Sequence, residues 1–189
     1  MTRCARADGP LGPMLLAARG DALTGLWLAG QKDFPAEADA WTETPGDALL
    51  ARALAQLDEY FDGRRAVFEL PVAFAGTPFQ REVWSRIARV PLGEAISYGA
   101  LAAAAGRPAA ARAAGAATGR NPVSLIVPCH RVMGAGGAIT GYAGGLHRKH
   151  ALLAFEAAVA RGERARLADF VTAVVPPRGF RPVFAPRLT

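Results

Sequence analysis

The sequence predicts an α/β N-terminal domain followed by a mainly α-helical C-terminal domain with a helix-turn-helix. Three observations carry this prediction: two strand-like apolar runs with a turn between them before residue 31, an amphipathic helix pattern after residue 46, and several helix patterns between residues 77 and 161. With 189 residues and 51% apolar content, the chain can bury a sizeable core as one compact unit or two small domains. We place the domains at residues 1–75 and 76–161, with residues 162–189 as a basic, proline-containing tail.

A hairpin opens the N-terminal domain. Residues Gly12–Arg19 and Leu23–Gly30 have the apolar character of strands, and Gly20-Asp21 between them is a turn signal. Residues 31–46 look like loop. Across residues 47–60 the apolar positions recur at spacings of three and four, which predicts a helix whose apolar stripe covers the sheet.

The transition to the second domain is marked by a change of pattern. Val67–Phe74 reads as a further strand and linker, so the boundary falls near Gly76. From Thr77 the apolar residues take helical spacing, and this face ends at Pro91-Leu92-Gly93.

Two short helices with a glycine turn between them are predicted next. Ser97 is positioned to cap a helix through Ala105, and Gly106 ends that helix. Pro108 opens the second helix as a first-turn residue, with Arg107 at the N-cap position, where a residue such as asparagine is preferred. This is the pattern of a helix-turn-helix, although helix pairs are also common inside protein cores.

The second of these helices, residues 108–117, consists almost entirely of Ala and Gly and carries one long polar side chain, Arg112. Small residues let a helix lie unusually close to another surface, which suits a narrow minor groove with Arg112 projecting into it. Close packing against another helix inside the protein explains the same composition.

The chemistry is predicted at residues 121–132, which hold one of the two cysteines. The apolar run Val123–Val127 reads as a short buried strand, and Pro128 ends it, so that Cys129 lies in a turn. A cysteine attacks as its thiolate, and an imidazole is a common acceptor for the thiol proton, which makes His130 the candidate base. Because adjacent residues rarely contact each other directly, the proton would pass through a water or after a small backbone rearrangement. The alternative is a free cysteine packed as a small hydrophobe.

A last helix is predicted from about His147 to Arg161, with Leu152, Glu156 and Val159 on one face. Glu156 therefore points inward, where a carboxylate needs a partner such as an imidazolium. The residues after this helix are rich in arginine and proline and show no clear periodicity. The sequence leaves open whether they fold back on the protein, bind DNA phosphates or stay disordered.

Charge is distributed unevenly along the chain. Residues 1–62 hold 5 basic and 10 acidic side chains, whereas residues 63–189 hold 17 and 6. A basic excess of this size favours a polyanionic partner, of which nucleic acid is the commonest. An arginine-rich coding composition would produce the same excess without such a partner.

The cysteines bear on compartment and on metal binding. Cys4 and Cys129 give no disulfide framework, and a thiol needed as a nucleophile favours a reducing compartment, so we expect a cytoplasmic protein. The first ten residues lead into no signal-peptide core, and no run is apolar enough to span a membrane. A metal site from Cys129, His130, His147 and His150 is the alternative for this cysteine. We expect none, because adjacent Cys and His seldom chelate together.

The motif Pro128-Cys129-His130-Arg131-Val132 resembles the active-site signature of the O6-alkylguanine-DNA alkyltransferases. The similarity runs from about Gly76 to Glu156 without an evident gap, and it includes Asn121-Pro122, Phe79–Trp84, Ile96–Gly99, Gly141–Leu146 and Leu152–Glu156. The resemblance implies an N-terminal α/β domain similar to ribonuclease H and a winged-helix-like C-terminal domain. Some members of the family hold a structural zinc in the N-terminal domain, but this sequence lacks that set of ligands.

The resemblance also implies the catalytic residues. Cys129 accepts the alkyl group, and Glu156 is linked to it through His130 and a water. Asn121 braces the active-site turn. Tyr98 hydrogen-bonds the flipped guanine and helps to protonate it as it leaves. Because His130 and Glu156 together favour a thiolate-imidazolium pair, we expect the pKa of Cys129 to be depressed.

By resemblance, Arg112 enters the base stack and fills the gap left by the flipped nucleotide, because O6 of guanine cannot present its alkyl carbon to a sulfur inside the duplex. The predicted DNA-binding residues lie around this arginine: Ala110, Ala111, Arg112, Gly115 and Arg120. The predicted pocket residues surround the flipped base: Tyr98, Val132, Tyr142, Ala143 and Gly144.

The predicted function is direct reversal of DNA damage by a monomer. A methyl or other small alkyl group passes from O6-alkylguanine in double-stranded DNA to Cys129, once per molecule, without a nucleotide, metal or organic cofactor. O4-alkylthymine as a second substrate stays open. Two alternatives remain. The first is a lesion-binding protein of the same fold without transfer, which the presence of Cys129 disfavours, and the second is a Cys-His thiol hydrolase that turns over esters.

Overall fold

The computed structural model describes residues 1–171. An N-terminal sheet has the strand order β3-β2-β1-β4, and a two-stranded parallel sheet, β5-β6, lies among the C-terminal helices. The strands are β1 (Arg3–Ala7), β2 (Met14–Arg19), β3 (Ala22–Leu28), β4 (Thr42–Glu43), β5 (Ile96–Ser97) and β6 (Val132–Met133). The α-helices are α1 (Ala48–Phe61), α2 (Pro78–Ile87), α3 (Tyr98–Ala104), α4 (Ala111–Gly119) and α5 (Leu146–Ala160). Within residues 1–171 no helix is long and apolar enough to cross a bilayer.

The predicted hairpin is confirmed. β2 and β3 pair antiparallel and are joined at Gly20-Asp21, where Gly20 takes φ +54°. β1 pairs antiparallel with β2 and parallel with β4. The strand β1 was not predicted, because Arg3 and Arg6 interrupt its short run of apolar residues.

The predicted first helix is confirmed as α1. Its N-cap is Asp47, whose side chain accepts from the amide of Leu50 at 2.9 Å. The helix packs against β1, β2 and β3. Its buried stripe consists of Leu50, Ala53, Gln56, Leu57, Tyr60 and Phe61. This is the stripe that was predicted to cover the sheet, and it includes a tyrosine and a glutamine as well as apolar residues.

Two predicted strands are wrong. The backbone of the segment Val67–Phe74 pairs with the edge of β3 at Leu23, which donates to Pro71 O and accepts from Ala73 N. A proline has no amide to continue a ladder, so the pairing stops after one bridge. The run Val123–Val127 is likewise a buried turn rather than a strand, described below. The apolar residues of Val123–Val127 are buried, whereas Val67 is exposed and the other large apolar residues of its segment are half-buried. Neither segment forms a ladder.

Side chains cap two of the C-terminal helices, and the predicted cap at Ser97 is confirmed. Thr77 and Gln80 form a reciprocal capping box at the start of α2. Ser97 caps α3 by accepting from the amide of Ala100 at 3.1 Å.

The predicted start of the second short helix is wrong by three residues. Pro108 lies in a turn closed by a bond from Ala110 N to Arg107 O at 2.9 Å, and α4 begins at Ala111. Arg107 is therefore not the N-cap; its guanidinium lies 5.0 Å from the centroid of the Phe79 ring. Ala110 occupies the N-cap position and offers no side-chain acceptor.

The start of the predicted tail folds back on the protein. Leu167 is fully buried in a short 3-10 helix, Leu167–Asp169, and the ring of Phe170 lies 6.0 Å from that of Phe155 on α5. The rest of the tail, residues 172–189, lies outside the described residues.

Candidate active site

Residues 121–131, the active-site turn, are held from inside by Asn121. Its Nδ2 donates to Val127 O at 2.8 Å and to Cys129 Sγ at 3.1 Å, and its Oδ1 accepts from Val123 N at 3.0 Å. Asn121 is 3% exposed. One amide thus fixes both ends of the turn and the position of the sulfur, which is the bracing role predicted for it.

The same turn is docked on the N-terminal sheet. Leu26 of β3 donates to Pro122 O at 2.8 Å and accepts from Ser124 N at 2.9 Å, and the Ser124 hydroxyl donates to Gln31 Oε1 at 3.0 Å. Leu125 takes φ +69°, a conformation that a leucine rarely adopts. The surrounding bonds therefore hold the backbone of the turn in a strained form.

Cys129 lies at the bottom of an open pocket of about 400 Å³. Cys129 is 4% exposed and begins a 3-10 helix, Cys129–Arg131. The lining residues come from both halves of the chain: Lys32, Asp33, Tyr98, Gly115, Ala116, Thr118, Gly119, Arg120, Cys129, Gly141, Tyr142 and Ala143. The cavity is of the size that holds a small organic ligand.

The pKa of the Cys129 thiol is not lowered, contrary to the prediction from the sequence. Burial raises its pKa, and the hydrogen bond from Asn121 and the charge of Lys149 oppose that effect without overcoming it. The resting protein therefore holds a thiol, and the thiolate requires a proton acceptor at the moment of reaction.

The predicted pairing of His130 with Glu156 is present. His130 Nε2 lies 2.9 Å from Glu156 Oε1, and both side chains are at most 1% exposed. Arg131 binds the same carboxylate through Nε to Oε2 at 2.9 Å and Nη2 to Oε1 at 2.7 Å. Although burial raises the pKa of Glu156, His130 and Arg131 lower it more, so that the carboxyl stays ionised.

This geometry assigns the proton on His130. An ionised carboxylate only accepts, so Nε2 carries a hydrogen, and in the neutral form of the imidazole Nδ1 is then the free acceptor. Nδ1 is buried and has no hydrogen-bond partner among residues 1–171. His130 is thus an available proton acceptor next to Cys129 in the chain.

Tyr98, the predicted partner of the departing base, stands at the pocket wall. Its hydroxyl donates to Thr140 O at 3.4 Å, and burial raises its pKa. The helix α4 approaches the ring closely, since a Cβ on Gly115 would lie 3.5 Å from it. A side chain larger than glycine at 115 would therefore narrow the space beside Tyr98.

The loop of residues 141–145 continues the pocket wall next to Tyr98, with residues 141–143 facing the pocket. Tyr142 and Ala143 line the pocket as predicted, whereas Val132 and Gly144 are buried behind the wall. Lys149 on α5 is fully buried and donates to Val132 O, Thr140 O and Gly141 O. Sequence analysis missed this lysine, and only its position one helical turn after a glycine loop could have indicated its role.

The predicted DNA-binding residues lie on or beside one helix. Ala111, Arg112 and Gly115 belong to α4, Ala110 and Arg120 flank it, and both arginines are exposed. Arg112 has no ion pair or hydrogen bond with any residue of the described range 1–171.

The two remaining histidines do not join the site. His147 and His150 are exposed on the first turns of α5. Within residues 1–171 no three His, Cys, Asp or Glu side chains converge in a way that could hold a metal ion.

The site combines a buried cysteine under an open pocket with an imidazole and a carboxylate behind it and an arginine-bearing helix beside it. This arrangement defines a thiol-dependent transfer site. Comparison with known proteins identifies the family to which this site belongs. A family model described as "6-O-methylguanine DNA methyltransferase, ribonuclease-like domain" matches residues 2–74, and one described as "6-O-methylguanine DNA methyltransferase, DNA binding domain" matches residues 78–158. The chain belongs to the 6-O-methylguanine DNA methyltransferase family.

Curated relatives and solved structures agree with that assignment. The chain is 44% identical over 156 residues to a methylated-DNA–protein-cysteine methyltransferase of Mycobacterium leprae, covering 82% of this chain and 93% of that one. It is 46% identical over 140 residues to the constitutive enzyme of Bacillus subtilis, covering 73% and 84%. The crystal structure of Mycobacterium tuberculosis OGT in complex with DNA matches with a TM-score of 0.82 at 41% identity, covering 90% of this chain and 99% of that one.

Proposed function

We propose that the chain repairs double-stranded DNA by moving an alkyl group from O6 of guanine to Sγ of Cys129. The observation that carries the proposal is Cys129 itself, which lies at the bottom of a base-sized pocket next to a histidine whose Nδ1 is free to accept a proton. Family membership supports DNA as the substrate and alkyl transfer as the reaction.

DNA binding is assigned to residues 76–161, with residues 1–75 as the support of the active-site turn. In this proposal α3 and α4 act as a helix-turn-helix, with α4 in the minor groove and the base flipped out. Arg112 supports that role because it is exposed and has no partner among residues 1–171. Arg120 is exposed and lines the pocket, which supports a contact with the phosphates next to a flipped base.

The chemical step begins with the thiol proton. His130 Nδ1 takes that proton through a water, and Glu156 stabilises the imidazolium through Nε2. The Cys129 thiolate attacks the alkyl carbon, a C–S bond forms, and the bond between that carbon and O6 breaks. Guanine leaves with the bonding electrons and takes up a proton from Tyr98. The proton held by His130 then passes through solvent to the Tyr98 phenolate, so that the thiol proton is the one that guanine gains overall.

The product determines the stoichiometry. A thioether has no carbonyl for water to attack and no good leaving group, so the alkyl group stays on Cys129 and each molecule reacts once. The other thiol, Cys4, is fully buried in the N-terminal sheet, and burial raises its pKa. It is therefore unsuited to exchange the group away, and no cofactor is required for the reaction.

The test compares duplexes that carry either O6-methylguanine or O4-methylthymine. We expect rapid transfer from O6-methylguanine by the wild type and by the matched variant Cys4→Ser. Cys129→Ser should bind the same duplex and transfer nothing. Repair by Cys129→Ser, or turnover of ester substrates by the wild type in place of DNA repair, would refute the proposal. The rate on the second duplex decides whether thymine is also a substrate.

A further inference from the structure

The phenol of Tyr60 reaches the catalytic carboxylate from the other half of the chain. Tyr60 lies in the last turn of α1, 96 residues before Glu156, and its hydroxyl donates to Glu156 Oε1 at 2.6 Å. The side chain is fully buried. Its ring packs against those of Phe61, Phe68 and Phe155, with centroids 5.8, 5.4 and 5.6 Å away. The hydroxyl is thus aimed at the carboxylate by a rigid aromatic cluster.

The carboxylate of Glu156 accepts four hydrogen bonds. Oε1 accepts from Tyr60 at 2.6 Å, from Arg131 Nη2 at 2.7 Å and from His130 Nε2 at 2.9 Å. Oε2 accepts from Arg131 Nε at 2.9 Å. A carboxylate offers about four lone-pair positions, two on each oxygen, so the donors crowd on Oε1 while Oε2 keeps one position open. Tyr60 and His130 therefore compete for the charge on the same oxygen.

We propose that Tyr60 is a positioning residue of the alkyl-transfer reaction, which sets the orientation and the charge that Glu156 presents to His130. The proposal rests on the proposed function of Cys129. Burial, and then the charge of Glu156, raise the pKa of Tyr60 well above its ordinary value. The phenol consequently stays a donor throughout the pH range in which the protein works.

Loss of the phenol has a predictable sign. The titratable and charged groups that face this carboxylate are Tyr60 on α1, His130 and Arg131 on the active-site turn, and Tyr142 in the pocket wall. Without the hydroxyl, Oε1 keeps more negative charge for the imidazole, which then holds a second proton more tightly. Fewer molecules near neutral pH retain a free Nδ1, so the acid limb of the rate profile moves to higher pH.

The experiment measures transfer from free O6-benzylguanine and from methylated duplex across pH. Tyr60→Phe keeps the ring and removes the donor, and we expect a rate about tenfold lower near neutral pH on both substrates, with the acid limb displaced upward. Phe68→Leu is the matched control, since it loosens the same ring cluster and keeps the hydroxyl. Its acid limb should coincide with that of the wild type.

A double-mutant cycle separates a role through Glu156 from a role in packing. In a Glu156→Gln background, Tyr60→Phe should cause no further loss of rate. Equal losses in both backgrounds, or an unshifted acid limb, would overturn the proposal. If wild-type protein transfers nothing, the proposed function fails instead.

One measurement does not depend on the folding of a variant. In the wild type the hydroxyl proton of Tyr60 should give a slowly exchanging, downfield NMR resonance, as expected of a short buried bond to a carboxylate. A Tyr60 hydroxyl in fast exchange with water would remove the basis of the proposal.

Discussion

The active-site turn and helix α4 lie on either side of the same pocket, and they are built in opposite ways. The polar side chains of the turn, such as Asn121 and Arg131, are buried and hydrogen-bonded. On α4 the exposed Arg112 has no partner within residues 1–171, and the N-cap residue Ala110 contributes no side-chain bond. The groups of the turn are positioned by the protein itself, whereas in the proposed function the exposed groups of α4 are left for DNA to satisfy.

The largest effect should come from breaking the network behind the turn. Glu156→Gln leaves the buried Arg131 and His130 without a counter-charge, and we expect the free energy of unfolding to fall by about 3–5 kcal/mol. The rate of transfer should fall by a similar factor on free O6-benzylguanine and on duplex DNA, because the lost contact belongs to the chemical step. Unfolding in urea and single-turnover kinetics measure both. A loss confined to the duplex substrate would contradict the division of roles.

The pH dependence of stability gives a second test with the variant Glu156→Gln. The pKa of Glu156 is lowered in the folded protein, so its contribution to stability is complete above the unfolded value of about 4.5 and declines as the pH falls below it. The wild type should therefore lose stability between about pH 5 and pH 3 more steeply than Glu156→Gln does. Parallel curves would show that this carboxylate is not ionised in the folded state.

A smaller and more selective effect is expected on the recognition side. Arg112→Ala should lower the rate on methylated duplex about tenfold to a hundredfold, because a flipped base costs a few kcal/mol and the arginine would fill its place. The rate on free O6-benzylguanine should not change. Arg107→Ala is the matched control, since this exposed arginine lies over Phe79 rather than on α4. Equal losses on both substrates would mean that Arg112 supports the pocket.

Sequence reasoning found the elements that are signalled locally. The hairpin turn at Gly20-Asp21 and the cap at Ser97 depend on neighbours within four residues, and both were placed correctly. Ser97 illustrates why, because the amide that it caps, at Ala100, is three residues away.

The errors concern features that depend on distant partners. Leu125 is buried in a turn with φ +69° because Asn121 and β3 hold the backbone there, and its apolar neighbours alone suggest a strand. The pairing of Tyr60 with Glu156 spans 96 residues. A tyrosine within a buried stripe indicates that a polar partner exists, but the stripe does not identify that partner.

The smallest effect should be a change in salt dependence. Arg120 is exposed at the pocket rim, and a phosphate contact there would release about one counterion. Arg120→Ala should weaken binding to all duplexes alike and reduce the slope of log K against log salt by about 1. The salt slope can be measured by fluorescence anisotropy with an unmodified duplex. An unchanged slope would place Arg120 outside the DNA contact.

Stoichiometry tests the central claim that Cys129 is the acceptor in one irreversible transfer. The protein is titrated with excess duplex containing O6-methylguanine, and the added mass is located by peptide mass spectrometry. The result should be a plateau at about one methyl group per molecule, all of it on the peptide that contains Cys129, because a thioether does not turn over. Continued transfer by a trace of protein, or methylation of Cys4, would contradict it.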